Sequence, residues 1–395
     1  MKSSASTNRK RDCRTGAPPA TTGETTTASD PPSPRLRRAG TPRVGSRGKL
    51  AAQIKEKARA IGFDLVGIAN AQPPQHAGEF QQWLALGFHG EMGYMAKNAE
   101  KRNDPSKILA DAQSVVVVGM NYNTESPRQP RSGRDKETRP TTTPQIARYA
   151  WGACDYHEVM GEKLKQLAVA IDGFGGPDTR SLWYVDTGPI LERDLAQRAR
   201  IGFIGKHTNL ISRRLGNWIF VGEVLTNLAL PADEPEREYC GTCQRCIDAC
   251  PTRAIVAPYQ LDARLCISYL TIELKGAIPV GLRPLIGDHV FGCDDCLEVC
   301  PWNRFAKLSP VREFQRREMP PLTEFLSWDE QEFRNFFRDT PIFRIKRRGF
   351  LRNVCVVLGN IGDASALPAL ERALADPEPL VREHAAWAID QIQSR

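Results

Sequence analysis

Two cysteine runs between Cys240 and Pro301 constrain this chain more than any other feature. The first is Cys240, Cys243, Cys246 and Cys250, closed by Pro251. This is the C-x2-C-x2-C-x3-C-P spacing that bacteria use for a [4Fe–4S] cluster. The second is Cys293, Cys296 and Cys300, closed by Pro301, with Val290 where a first cysteine would stand. Cys266 can supply the missing thiolate, which makes two complete sets of four. In such runs the fourth cysteine is carried away by a helical turn and ligates the other cluster. The expected sets are therefore Cys240, Cys243, Cys246 and Cys300 for one cluster, and Cys250, Cys266, Cys293 and Cys296 for the other. Structural zinc and disulfides are the bland alternatives. Zinc sites favour paired C-x2-C knuckles, and a four-cysteine run argues against them.

At 395 residues the chain is long enough for two or three domains. No run of about 18 apolar residues is present, so no membrane span is expected. Eleven cysteines, eight of them in the cluster runs, suit a reducing, cytoplasmic setting. Of the other three, Cys13, Cys154 and Cys355, the last reads as a buried free thiol in an apolar helical stretch. The net charge of +8 resembles a nucleic-acid signal. It arises in residues 1–49, which hold 11 Lys/Arg against 3 Asp/Glu, while the remainder carries 43 of each sign. A polyanionic partner must therefore be argued from local patches.

Residues 1–48 are rich in Ser, Thr, Pro and Arg and read as a disordered basic extension, with a transit peptide as the alternative. From 49 to about 230, strands alternate with helices, which predicts an α/β domain. Residues 114–120, with four consecutive valines, are its clearest buried strand. Residues 182–185 read as a strand that delivers Asp186 at its C-terminal end, where open α/β sheets place ligands. The bland reading of Asp186 is a helix N-cap. Polar residues 124–144 read as an exposed insertion. Residues 231–310 form the two-cluster module. From 311 to 395 the pattern is helical, and 349–393 suggests two amphipathic helices of HEAT type. Aromatic residues Trp328, Phe333, Phe336, Phe337 and Phe343 precede the basic run Arg344, Lys346, Arg347, Arg348 and Arg352. Basic residues beside aromatics suit a phosphate backbone and splayed bases, whereas a solvated face is the plain reading.

Several separated motifs occur together and in order: Arg148 to Gly152 with Asp155, Tyr156 and His157; Val185 to Arg193; Gly205, Lys206 and His207; Cys266 to Glu273; and Gly292 through Asn303. Over about 50–393 they closely resemble the epoxyqueuosine reductases. One departure is visible: two residues, Ala153 and Cys154, separate Gly152 from Asp155 where that family usually has one.

The resemblance implies a base-off cobalamin in the α/β domain, two [4Fe–4S] clusters, and a cluster wiring like that of reductive dehalogenases. It implies reduction of the epoxide of epoxyqueuosine, in the wobble position of a tRNA with a GUN anticodon, to queuosine. An unidentified low-potential donor would supply the electrons, and a monomer is expected. Its catalytic acid maps onto Asp186, whose pKa an aromatic pocket of Tyr149, Trp151 and Tyr156 should raise. Arg102, Tyr149, Asp155, His157, Asp186, Lys206, Ser268, Glu273, Glu298 and Val299 are the expected cobalamin neighbours. Among them His157 is a contact, not an axial ligand. The basic run 344–352 is the expected tRNA surface. A corrinoid reductase acting on a small molecule and a ferredoxin-like electron carrier are the competing readings. The first needs no tRNA surface, and the second needs neither corrin nor an acid at Asp186.

Overall fold

The computed structural model of the chain describes residues 44–125 and 145–395. Most of the expected basic extension, Cys13, and residues 126–144 of the insertion lie outside them. Folding begins slightly earlier than the sequence suggests: helix α1 spans Val44–Ile61, with Ile54 and Ala58 wholly buried. Gly62 then takes φ +102, which glycine tolerates where the chain leaves a helix.

A four-stranded sheet carries the first domain: β1 (Leu65–Asn70), β2 (Ser114–Asn121), β3 (Ser181–Tyr184) and β4 (Ile219–Thr226). Its order is β1-β2-β4-β3, and every pairing is antiparallel. Both faces are covered, which is why β2 is apolar between Ser114 and Asn121 at its ends and buried at every residue. Val116, Val118 and Met120 point to one face, against α1 and helix α2 (Tyr156–Gly175). Val115 and Val117 point to the other, against helix α3 (Glu192–Arg198). This corrects one expectation. The rule that ligands sit beyond strand ends belongs to parallel sheets, and this sheet is antiparallel. Asp186 does follow β3, but what surrounds it comes from α2 and the C-terminal region.

The cluster module holds little regular structure. One-turn helices at Arg245–Asp248 and Asp295–Glu298 carry the middles of the two cysteine runs. Residues Tyr269–Glu273 form a π-helical turn, a form often found at functional sites. Buried Arg148 ties this module to the sheet domain. Its guanidinium meets Glu298 at 2.8 Å and Asn123 at 2.6 Å, and lies 4.2 Å from the ring centroid of Trp218.

Over 346–393 there are three helices where two are expected: α4 (Lys346–Ile361), α5 (Leu367–Ala373) and α6 (Pro379–Gln393). Gly362, at φ +77, and Pro368 separate the first two. Cys355 is the buried free thiol expected from its apolar surroundings. The core of this region also takes in Ile146, Trp151, Val290 and Phe291, so it is continuous with the cluster module.

The basic run is not one surface. Arg344, Lys346 and Arg348 are exposed, but Arg347 and Arg352 are buried. Arg347 pairs with Asp376 at 2.5 Å. Arg352 donates to the carbonyls of Leu270 (2.8 Å), Leu274 (2.8 Å) and Gly276 (2.7 Å). Both are therefore internal struts, not phosphate contacts. The aromatics beside them are also corrected. Phe333 and Phe337 are core, and Trp328, Phe336 and Phe343 pack against it.

Candidate active site and cluster cradles

Cys240, Cys243, Cys246 and Cys300 line one cavity of ≈ 220 Å³ together with His207 and Trp302. Within this set Cys240, Cys300 and Cys243 act on Cys246. Burial first and those thiolates next push its pKa up to about 11. The cross-talk in the other set runs among Cys250, Cys266, Cys293 and Cys296, with burial again the larger cause. Thiols crowded in this way cannot all ionise together unaided. The donor chemistry fits a cationic core that neutralises them.

Asp186 sits two residues past β3 at φ +58. Aspartate tolerates this left-handed conformation better than most residues, and strain of this kind clusters at functional sites. Helix α3 starts at Glu192 with Leu191 at its N-cap, so Asp186 does not cap it. Its side chain is 59 % exposed although protein atoms crowd around it, which describes the floor of an open depression.

A chain of polar contacts converges there. The Tyr156 hydroxyl donates to Asp186 Oδ2 at 2.6 Å. His157 Nε2 lies 3.5 Å from the same oxygen, in ion-pair range but long for a hydrogen bond. Nδ1 of His157 meets Asp155 Oδ1 at 2.8 Å, and Arg344 Nη2 meets Asp155 Oδ2 at 2.7 Å. Asp155 is the N-cap of α2 and accepts from the His157 backbone N–H, which fixes the imidazole beside Asp186. Three separate segments thus join in one network: the start of α2, the Asp186 loop and Arg344.

The electrostatics follow. Burial raises the Asp186 pKa, but the imidazole of His157 and the hydrogen bond from Tyr156 outweigh it and hold the carboxyl at about 2. Burial lowers that of His157, and Asp155 and Asp186 more than compensate, so it titrates above its usual 6.5. Burial and Asp186 drive the Tyr156 phenol far above its usual range. The sequence expectation of a raised Asp186 is thereby corrected. Tyr149 and Tyr156 do adjoin it, whereas Trp151 lies in the C-terminal core, and the imidazole beside Asp186 decides the outcome.

Other expected residues divide clearly. Tyr149 packs edge-on to Tyr156 at 6.0 Å and lies 5.9 Å from Phe291, so it bridges the depression to the loop of Cys293. Glu273 is half-buried on the π-turn, where burial first and then the charge of Asp186 raise its pKa. Arg102 is buried and donates to Gly188 O at 2.9 Å, pinning the Asp186 loop from behind. Lys206 lies away from the depression and donates to Gly241 O (2.7 Å) and Cys243 O (3.0 Å), under the first cysteine loop. Ser268 reaches Cys293 O at 3.5 Å. Glu298 is paired with Arg148, and Val299 is the half-buried C-cap of the turn Asp295–Glu298.

Three residues escaped sequence reasoning. Tyr94, half-exposed, has its pKa pushed up to about 12 by burial, Glu273 and Asp186. Nothing in its glycine-broken surroundings marked it. Glu192 and Glu223 lie behind Asp186. A lone glutamate inside the apolar strand β4 was the available signal for Glu223.

Two four-cysteine cradles joined by an aromatic bridge to an acid with a paired imidazole define an iron–sulfur oxidoreductase. The comparisons with known proteins agree. Residues 239–303 match a 4Fe-4S double cluster binding domain, and 349–395 match HEAT repeats. Residues 102–187 match the family described as Epoxyqueuosine reductase QueG, DUF1730. The epoxyqueuosine reductase of Xanthomonas campestris pv. campestris is 42% identical over 351 residues, covering 86% of this chain and 96% of that one. That of Escherichia coli is 40% identical, covering 88% and 91%. A crystal structure of epoxyqueuosine reductase with an epoxyqueuosine-modified tRNA-Tyr stem loop is 34% identical with TM-score 0.78, covering 87% of this chain and 90% of that one. This chain belongs to the epoxyqueuosine reductase family.

Proposed function

We propose that this chain reduces the epoxide of epoxyqueuosine in the tRNA wobble position to queuosine, the last step in making that nucleoside. Asp186 is its proton-delivering residue. The observation that carries the proposal is the exposed Asp186 carboxylate, held by Tyr156 and His157 and joined through Tyr149 to the loop of Cys293.

We assign the two cysteine sets as the cradles of two [4Fe–4S] clusters, with Cys250, Cys266, Cys293 and Cys296 nearer the depression. We assign the depression itself to cobalamin. A flat corrin edged with amides suits a floor bordered by Tyr94, Tyr149, Asp155, Glu273 and Arg344, which offers aromatic faces, donors and acceptors. Neither nitrogen of His157 is free for a metal, since they face Asp155 and Asp186. When bound, cobalamin reduced through the clusters supplies the electron pair.

The protein's own part is the proton. His157 holds it, and Asp186 sits between His157 and solvent at the opening. As the epoxide oxygen gains negative charge beside Asp186, the proton moves from His157 to Asp186 and on to that oxygen. Tyr156 stays protonated, since its phenol titrates far above neutrality, and keeps Asp186 oriented. Exposed Arg344, Lys346 and Arg348 lie on the rim side and suit tRNA phosphates. The target base must leave the anticodon stack to reach the floor. In a Bacillus subtilis epoxyqueuosine reductase the catalytic aspartate loop has been seen swung out of the active site, which agrees with a strained, movable Asp186 loop here. A tRNA substrate and cluster-bearing cysteines suit an enzyme of the cytoplasm.

The test is anaerobic incubation of reconstituted protein with epoxyqueuosine-containing tRNA, cobalamin and a low-potential reductant, followed by nucleoside mass spectrometry. Cobalamin-dependent queuosine is the expected product. Intact clusters and bound corrin with no conversion point instead to a small-molecule substrate.

A further inference from the structure

Epoxide-to-alkene reduction consumes two electrons and two protons. Both C–O bonds break, a carbon–carbon double bond forms, and the oxygen leaves as water. Asp186 passes one proton at a time and faces solvent that a docked corrin and base would exclude. A second proton must reach it from within.

The interior behind Asp186 contains two acids the mechanism above does not use. Glu223 is central in β4, paired with Val117 on one side and Tyr184 on the other. It is 0 % exposed, and among the described residues neither carboxylate oxygen has a hydrogen-bond partner. Ile219 and Leu225 share its parity on the strand and face the layer beneath α3, so Glu223 is directed into that layer. Glu192 opens α3 on the same side, and its Oε1 is also buried without a partner. The Asp186 backbone N–H faces the Glu192 carboxyl. An unpartnered buried carboxylate is costly, and a neutral carboxyl avoids the cost. The charges that reach Glu192 are Asp186, Arg193 and Arg102, and those that reach Glu223 are Glu192 and Asp186. Burial is the leading cause in both. It lifts Glu192 to about 8 and Glu223 well above the carboxylate range.

We propose that Glu192 and Glu223 form a buried proton store that recharges Asp186 during a single reduction. The Glu192 O–H proton passes to the Asp186 carboxylate, Glu223 refills Glu192, and solvent recharges the pair once product leaves. Both residues act through Asp186, and neither touches substrate. The role rests on the epoxide-reducing function proposed above, whereas the protonation state does not.

Two measurements on the full-length holoenzyme test it. Infrared difference spectra of resting protein at neutral pH, wild type against Glu223→Gln and Glu192→Gln, should show protonated-carboxyl C=O bands that each variant loses. In single turnover, Glu192→Gln should slow reduction by roughly 10- to 100-fold, remove the inflection near pH 8 while leaving the one set by His157, and regain rate as a small diffusible acid buffer is added. Merely structural damage would not respond to buffer. Absence of both carboxyl bands overturns the store, whether or not the wild type converts tRNA. Wild-type rate and pH profile in both variants overturn the relay. A wild type that shows the bands but no conversion counts against the proposed function and leaves the store standing.

Discussion

Arg352 offers the sharpest separation between a binding surface and an internal strut. Arg352→Met keeps most of the apolar stem and removes the guanidinium that serves Leu270, Leu274 and Gly276 at 2.7 to 2.8 Å. One buried carbonyl, that of Leu270, and two part-buried ones lose their donor, and a fully orphaned group costs about 1–3 kcal/mol. Against this stands the relief of no longer burying a cation. That burial cost is real, since the Arg352 pKa is pulled down to about 10, mainly by burial. The net loss should fall at about 2–4 kcal/mol, since the groups left behind are neutral carbonyls and two of the three are only part-buried. Because the carbonyls belong to the π-turn and its exit, Glu273 and the Cys266 segment should loosen with them. Chemical denaturation of matched holoproteins, with iron content measured beside it, is the assay. Exposed Arg348→Ala is the companion, expected to change stability by less than about 0.5 kcal/mol. Unchanged stability in Arg352→Met with weakened tRNA binding would refute the strut and restore the surface reading.

Further outcomes follow from the same geometry. Cys300→Ser should remove the cluster of the first cysteine run although Cys300 belongs to the second. Iron analysis and electron paramagnetic resonance should match Cys243→Ser, not Cys293→Ser. The His157–Asp186 ion pair is complete between about pH 2, where Asp186 gains its proton, and the raised His157 value above 6.5, and is lost as pH rises through the latter. Reduction rate should therefore fall above that value, and His157→Gln should remove this limb and let Asp186 rise back toward 3.8. A pH–rate series measures both. Arg344→Gln should weaken tRNA binding, lower its salt slope by about 1, and leave stability within about 1 kcal/mol. Titration of a modified stem loop at several salt concentrations would show it.

Much of this was legible in the sequence because it is local. The cysteine spacing brought Cys300 to Cys240, Cys243 and Cys246 through a rule about one helical turn. The valines of β2 announced a strand buried on both faces. The antiparallel order was not legible, since alternating strands and helices do not specify which strands pair. Burial of Arg347 and Arg352 was hidden for a similar reason: their acceptors lie 29 and 76 to 82 residues away. Asp186 could be located but its ionisation could not, because Tyr156, His157 and Arg344 reach that network from distant segments.

The most direct test of the central claim is anaerobic single turnover of an epoxyqueuosine-modified stem loop, wild type against Asp186→Asn, with cobalamin titrated into both. Asparagine keeps the shape and hydrogen-bonding oxygen but carries no proton to deliver. The account requires cobalamin-dependent queuosine from the wild type and a loss of at least about 100-fold in the variant, with cobalamin binding retained. Equal rates in the two proteins would contradict it.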